Sequence, residues 1–141
     1  MTISEKEQAI IGEFSLFEDW MDKYTYLIEL GKDLPLIDEK YKTNQYLISG
    51  CQSRVWLHAE LVDGKMVLTA DSDAVITKGI VSVLIKAWSG QKPADILNAS
   101  TDFLDKIGLA EHLSPTRANG LLSMIKQIKL YAKAFQIKQD Q

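Results

Sequence analysis

Apolar residues near the start of the chain recur at three- and four-residue intervals. Ile10, Ile11 and Phe14 make one short stripe, and Phe17, Trp20, Met21, Tyr24, Leu27 and Ile28 make a second. That is the period of helices with one face in a core. Ser4 and Glu7 have the spacing of a capping box, which sets the first helix start there. Gly31 is the expected C-cap of the second helix, Pro35 bars its continuation, and residues 32–43 read as a connecting loop.

The period then changes to two. Val55, Leu57, Ala59 and Leu61 alternate with Arg54, Trp56, His58 and Glu60, which predicts a half-buried strand with His58 on its exposed side. Asp63-Gly64 has the composition of a two-residue hairpin turn, and Lys65 to Asp71 returns as the second strand. With that turn, Leu61 faces Met66, Ala59 faces Leu68 and Leu57 faces Ala70, so the apolar faces coincide. A shorter third strand is expected through Tyr46-Leu47-Ile48.

Ala74 to Trp88 is apolar on most sides and reads as a central buried helix, capped by Ser72 or Asp73 and ended by Gly90. Gly79 within it suggests close packing against the sheet. Short helices follow around Pro93–Leu97 and Asp102–Ile107, with Gly108 as a stop. Ser114 at N-cap and Pro115 at the first helical position open a last long helix, whose core face runs from Leu121 to Phe135. The polar end, Ile137 to Gln141, is expected to fray. No repeat, low-complexity tract or linker divides the chain, so residues 1–141 read as a single domain.

Composition narrows the function. With 46% apolar and 25% charged residues the chain is an ordinary globular sequence. A net charge of −3 argues against a general phosphate-binding surface for nucleic acid. No apolar run approaches the ~20 residues of a membrane span. The charged N-terminus has no signal-peptide core, and one unpaired cysteine suits a reducing compartment, so the cytoplasm is the expected location.

Cys51 is that cysteine, in Ser49-Gly50-Cys51-Gln52-Ser53-Arg54-Val55-Trp56-Leu57. Alone it closes no intramolecular disulfide and supplies too few ligands for a zinc or iron–sulfur site. It can act as a nucleophile or carry a group covalently, and its Gly/Gln/Ser context is that of a turn rather than a core strand. A buried structural cysteine is the plain alternative. His58 and His112 lack metal-ligand spacing, and no metal is expected. Asp71-Ser72-Asp73 begins like a calcium loop, yet the glycine and glutamate that such a loop needs later are absent. No phosphate-binding glycine loop or hydrolase motif is present.

Three further segments accompany the cysteine turn: Leu30-Gly31-Lys32-Asp33-Leu34-Pro35, then Ala70-Asp71-Ser72-Asp73-Ala74 with Lys78-Gly79, then His112-Leu113-Ser114-Pro115-Thr116-Arg117-Ala118-Asn119-Gly120-Leu121. Together, and in this order from about Phe17 to Tyr131, they resemble the SufE family. The resemblance implies an α+β fold, a small antiparallel sheet of about three strands packed against helices, similar to the IscU-type scaffold. It also implies a sulfur acceptor that takes persulfide sulfur from a SufS-type cysteine desulfurase, stimulates that enzyme, and passes the sulfur to the SufBCD scaffold for iron–sulfur cluster assembly. Pyridoxal phosphate would belong to the desulfurase, leaving this chain without a cofactor and without desulfurase activity of its own.

By the same resemblance Cys51 carries the persulfide and Arg117 contacts the thiolate, the persulfide or the partner. Such a transfer needs one reachable cysteine and little else, with Arg54 and Arg117 as the candidate cations for favouring its thiolate. Gly50, Gln52, Ser53 and Arg54 form the loop around the thiol, while Asp73 and His112 match recurrent positions read as structural first. Gln52-Ser53 favours the SufE type over the CsdE type, which often has Glu-Asn there. A homodimer is left open. Two other classes compete with the carrier: an iron–sulfur scaffold, which one cysteine serves poorly, and a non-catalytic adaptor whose cysteine is incidental.

Overall fold

The alternating segments form a two-stranded antiparallel hairpin, β1 (Val55–Val62) and β2 (Lys65–Ser72), in a computed structural model that describes residues 1–139. The register is the expected one, with Leu57 opposite Ala70, Ala59 opposite Leu68 and Leu61 opposite Met66. Asp63 and Gly64 both take positive φ, +52° and +78°, as a tight hairpin turn requires. One face of the hairpin buries Val55, Leu57, Ala59, Met66, Leu68 and Ala70. The expected third strand does not form. Asn44–Tyr46 is a 3-10 turn, and Leu47 makes a single bridge to Trp56 before the chain turns away at Ser49-Gly50. Too few residues remain there for a ladder. Single bridges at Leu36 and Gln91 likewise cover the outer edge of β2, and all three blunt edges that would otherwise invite pairing.

Among the described residues six α-helices surround the hairpin: α1 (Ile3–Phe14), α2 (Trp20–Lys32), α3 (Val75–Trp88), α4 (Pro93–Asn98), α5 (Asp102–Lys106) and α6 (Pro115–Gln139). The connection read as loop from 32 to 43 contains a further 3-10 turn, Glu39–Tyr41. The capping box of α1 lies two residues earlier than expected, on Thr2 and Glu5. Glu7 is then free to accept the indole N–H of buried Trp88 at 3.3 Å. α2 runs past Gly31 to Lys32, because Gly31 is needed for packing rather than termination. A Cβ on Gly31 would lie 3.0 Å from the amide nitrogen of Gly79, and one on Gly79 only 2.3 Å from the Leu27 carbonyl oxygen. Gly79 therefore meets α2 and not the sheet.

α3 is the central helix: Ile80, Val81, Val83, Leu84, Ala87 and Trp88 are all buried, in one cluster with the hairpin and with Leu121, Met124 and Ile128 of α6. The last helix starts as expected, with Ser114 Oγ accepting from the Arg117 N–H at 3.3 Å. It remains helical through Gln139 where polar composition predicts fraying. The rest of that expected frayed end, residues 140 and 141, lies outside the described residues.

Lys129 fastens α6 to α4. Its ammonium donates to the carbonyls of Ile96, Leu97 and Ala99 at 3.2, 3.2 and 2.6 Å, and lies 5.5 Å from the Trp88 ring centroid. These carbonyls lie at the end of a six-residue helix, where a local backbone N–H, that of Ala99, reaches Ile96 alone, so the lysine acts as a C-cap from a distance. Lys129→Met keeps most of the stem and removes the three donors. It is expected to cost about 1–3 kcal/mol in urea unfolding, and unchanged stability would show that water serves those carbonyls equally well.

Candidate functional site

The cysteine turn is closed at its base and propped at its tip. At the base, the Ile48 N–H donates to the Val55 carbonyl at 2.8 Å, and Leu47 bridges Trp56. Ser72 and Asp73, expected to cap α3, hold this base instead. Asp73 Oδ1 accepts from the Arg54 N–H at 3.0 Å, and Ser72 Oγ donates to the Arg54 carbonyl at 2.8 Å. α3 begins after Ala74 with no side-chain cap. Asp71 is occupied as well, by Lys42 at 2.6 Å and Lys78 at 3.4 Å. The acidic run is thus committed to hydrogen bonds and ion pairs. Among the described residues no group of three or more His, Cys, Asp or Glu side chains could hold a metal ion.

Residues 49–54 bulge from this base and lean on α6. Gly50 has φ +90°, and a Cβ there would fall 2.5 Å from Ser123 Oγ. One turn earlier on α6, Gly120 lies beneath the thiol: a Cβ on Gly120 would touch Cys51 Sγ at 3.4 Å. The thiol is half-buried and donates to the Gly120 carbonyl across 3.7 Å. α3 holds the far side of the turn, through a 3.4 Å hydrogen bond from Thr77 to Ser53.

Beside Sγ is a cavity of about 80 Å³, walled by Cys51, Gln52, Ser53, Thr77, Ile80, Thr116, Arg117, Gly120 and Met124. One water needs only about 10–15 Å³ by the same measure, so the space accepts a group beyond the thiol sulfur. Arg117 and Cys51, 66 positions apart in the chain, line the same small space because α6 passes under the turn. Arg54 is exposed and lines none of it. Among the described residues neither arginine forms an ion pair with a carboxylate.

Burial pushes the Cys51 thiol above its ordinary value. The activating cation that the sequence suggests does not reverse this in the closed turn, so the thiol is kept protonated at neutral pH. The two histidines stand apart from the cavity. His58, expected on the exposed side, is largely covered: it stacks on Tyr41 with centroids 3.8 Å apart and meets the edge of Tyr46. His112 stacks on Trp20 at 3.9 Å, with Nδ1 3.0 Å from the Gly108 carbonyl oxygen.

Sequence reading missed Gly120, Ser123, Thr77 and Thr116 as parts of this site. Gly120 carried a usable signal: glycine inside a helix costs about 1 kcal/mol against alanine, and it is kept where something packs close. Ser123 and Thr77 carried none, since small polar residues on a helix have many uses. No helix among the described residues is long and apolar enough to cross a membrane.

The family described as "SufE: Fe-S metabolism associated domain" matches residues 8–132. An uncharacterized SufE-like protein of Rhizobium meliloti is 42% identical over 129 residues, spanning 88% of this chain and 92% of that protein. The chloroplastic/mitochondrial SufE-like protein 1 of Arabidopsis thaliana is 36% identical across 96% of this chain, which spans only 37% of the plant protein. The fold is shared with a solution structure of a hypothetical protein from Thermus thermophilus, at a TM-score of 0.77 and 20% identity, covering 92% of this chain and 94% of that one. With a match over most of its length and relatives above one-third identity, the chain belongs to the SufE family, whose members serve iron–sulfur metabolism.

Proposed function

We propose that this chain is a sulfur carrier: it accepts sulfur on Cys51 from a SufS-type cysteine desulfurase and delivers it to a SufBCD-type scaffold. What supports this reading most is the placement of the one cysteine. It stands at the tip of a turn whose base is pinned, with a cavity beside Sγ large enough for one more sulfur atom. The Cys51 thiolate attacks the outer sulfur of the donor's persulfide. A new S–S bond forms on Cys51, the donor's S–S bond breaks, and its cysteine leaves as a thiolate that takes up the proton given up by Cys51. No outside oxidant is required. Arg117, on the cavity wall, faces the persulfide anion, and breakage of the carbon–sulfur bond of free cysteine stays with the desulfurase and its cofactor.

Incubation with desulfurase and cysteine is expected to add the mass of one or more sulfur atoms to Cys51, removable by reductant. The protein alone is expected to release no sulfide. Cys51→Ser is expected to abolish both the label and any acceleration of the desulfurase. Labelling that persists in that variant, or equal turnover with and without the protein under limiting external thiol, would reject the carrier in favour of an adaptor.

A further inference from the structure

α6 differs in charge from the rest of the molecule. It carries Arg117, Lys126, Lys129, Lys133 and Lys138 and not one carboxylate, although the whole chain is net negative at −3. Its apolar exposure is also organised. Leu122, Leu130 and Ile137 are 64%, 52% and 51% exposed. At 100° per residue they share an arc of about 80° with Lys126 and Lys133. The stripe extends about 22 Å along the helix at 1.5 Å per residue. Among the described residues neither Lys126 nor Lys133 has a carboxylate within ion-pair distance, unlike Lys32, Lys42, Lys78 and Lys86.

The stripe is continuous with the cysteine turn. A groove of about 330 Å³ runs between them, bounded by Ser49 and Gly50 on one side and by Lys126, Gln127 and Leu130 on the other. This groove meets the backbone side of the turn. Sγ itself faces the other way, into the cavity under Thr116 and Arg117. The turn is thus flanked by two separate surfaces. A donor persulfide has to approach Sγ from the Arg117 side, while the stripe lies on another face of α6, beside the groove, and runs towards the end of that helix.

We propose that the Leu122–Lys126–Leu130–Lys133–Ile137 stripe is the docking surface for the protein that receives sulfur from Cys51, and that this partner seats an acidic amphipathic helix on it. The inference rests on the carrier reading. Leu122, Leu130 and Ile137, eight and seven residues apart, recur every two turns on one face as anchors for a partner helix, and the interspersed lysines select carboxylates on that partner. A lipid surface fits less well, because the opposite face of α6 is in the protein core and the cations interleave with the apolar residues rather than opposing them. RNA fits less well because the stripe offers no aromatic side chain for stacking.

The test uses the full chain as Cys51→Ser, so that binding is measured apart from sulfur chemistry, with a purified SufBCD-type scaffold. Lys126→Glu/Lys133→Glu is expected to weaken binding at least tenfold, and added salt to weaken the wild-type stripe but not the reversed one. Lys126→Gln/Lys133→Gln, which perturbs the helix least, is expected to weaken binding by a smaller factor at an unchanged melting temperature. With Cys51 restored, loading by the desulfurase is expected to stay within twofold in both variants.

Equal scaffold affinity in all variants, or no binding by the wild-type stripe, overturns the proposal. So does loss of desulfurase loading in parallel, which would give the stripe to the donor. Lysine-dependent binding to anionic phospholipid vesicles or single-stranded RNA, with the scaffold unaffected, overturns it too. Failure of Cys51 to load at all strikes the carrier reading instead, and is read separately.

Discussion

Gly79→Ala is expected to lower stability by about 3 kcal/mol or more, a fall of roughly 10 °C in midpoint for a domain of this size. In an open helix the same change would gain about 0.5–1 kcal/mol, since glycine carries the larger entropy cost. Here the added methyl group would sit 2.3 Å from the Leu27 carbonyl oxygen and 2.9 Å from its carbon. Those are backbone atoms, so no rotamer change clears them and α2 has to move off α3. That shift opens the contact through which Ser82 Oγ donates to the Leu30 carbonyl at 2.9 Å, and it spreads into the buried side chains of both helices. Gly12→Ala supplies the opposite sign. Gly12 is in α1 with nothing within 4 Å of the added carbon, so it is expected to stabilise by about 0.5–1 kcal/mol. Thermal or urea unfolding of the two variants decides the matter. A Gly79→Ala protein as stable as the parent would mean that helix contact is not close-packed.

The elements that sequence revealed best are those whose signal is local. The hairpin register could be worked out because a two-residue turn and a period of two leave one alignment with all apolar residues on one side. Cys51 was legible because one thiol in a Gly/Gln/Ser context has few explanations, and combined motifs tied it to a family. What failed depended on competition between equivalent local solutions. Thr2–Glu5 and Ser4–Glu7 both spell a capping box, and only the distant Trp88 indole, which takes Glu7, breaks the tie. Ser72 and Asp73 are good caps for α3 on paper, yet the backbone of Arg54 claims both. His58 alternates as an outward residue, and two tyrosines from a loop without periodicity then cover it. The site followed the same rule. Its thiol was visible, while the α6 face that shelters it, Gly120 and Ser123, is defined by a long-range approach that no window of sequence contains.

Gly50→Ala is expected to open the cysteine turn and raise the alkylation rate of Cys51 at pH 7 by about tenfold. At φ +90° any side chain costs roughly 1–2 kcal/mol, and the new Cβ would also press on Ser123 Oγ at 2.5 Å. The serine hydroxyl can rotate away but the backbone strain cannot. Ser123→Ala in the Gly50→Ala background is therefore expected to recover only part of the closed state. The base of the turn, held by Ile48–Val55 and by Arg54 against Asp73, is untouched, so the tip opens while the fold persists.

The pH dependence follows from the thiol. In the closed turn burial raises the Cys51 pKa, so the neutral thiol favours closure. That preference is fully present below the open-state value, near 8.5 for an ordinary cysteine, and is lost as pH rises through the higher closed-state value. In Gly50→Ala the inflection of the alkylation rate is expected to move down towards the ordinary value, because more of the population is open and solvated. Rate and inflection measured across pH 6–11 separate the two states. If both variant and parent showed the same rate and the same inflection, the contact with α6 would not govern access to the thiol, and the pinned base alone would set the geometry of sulfur transfer.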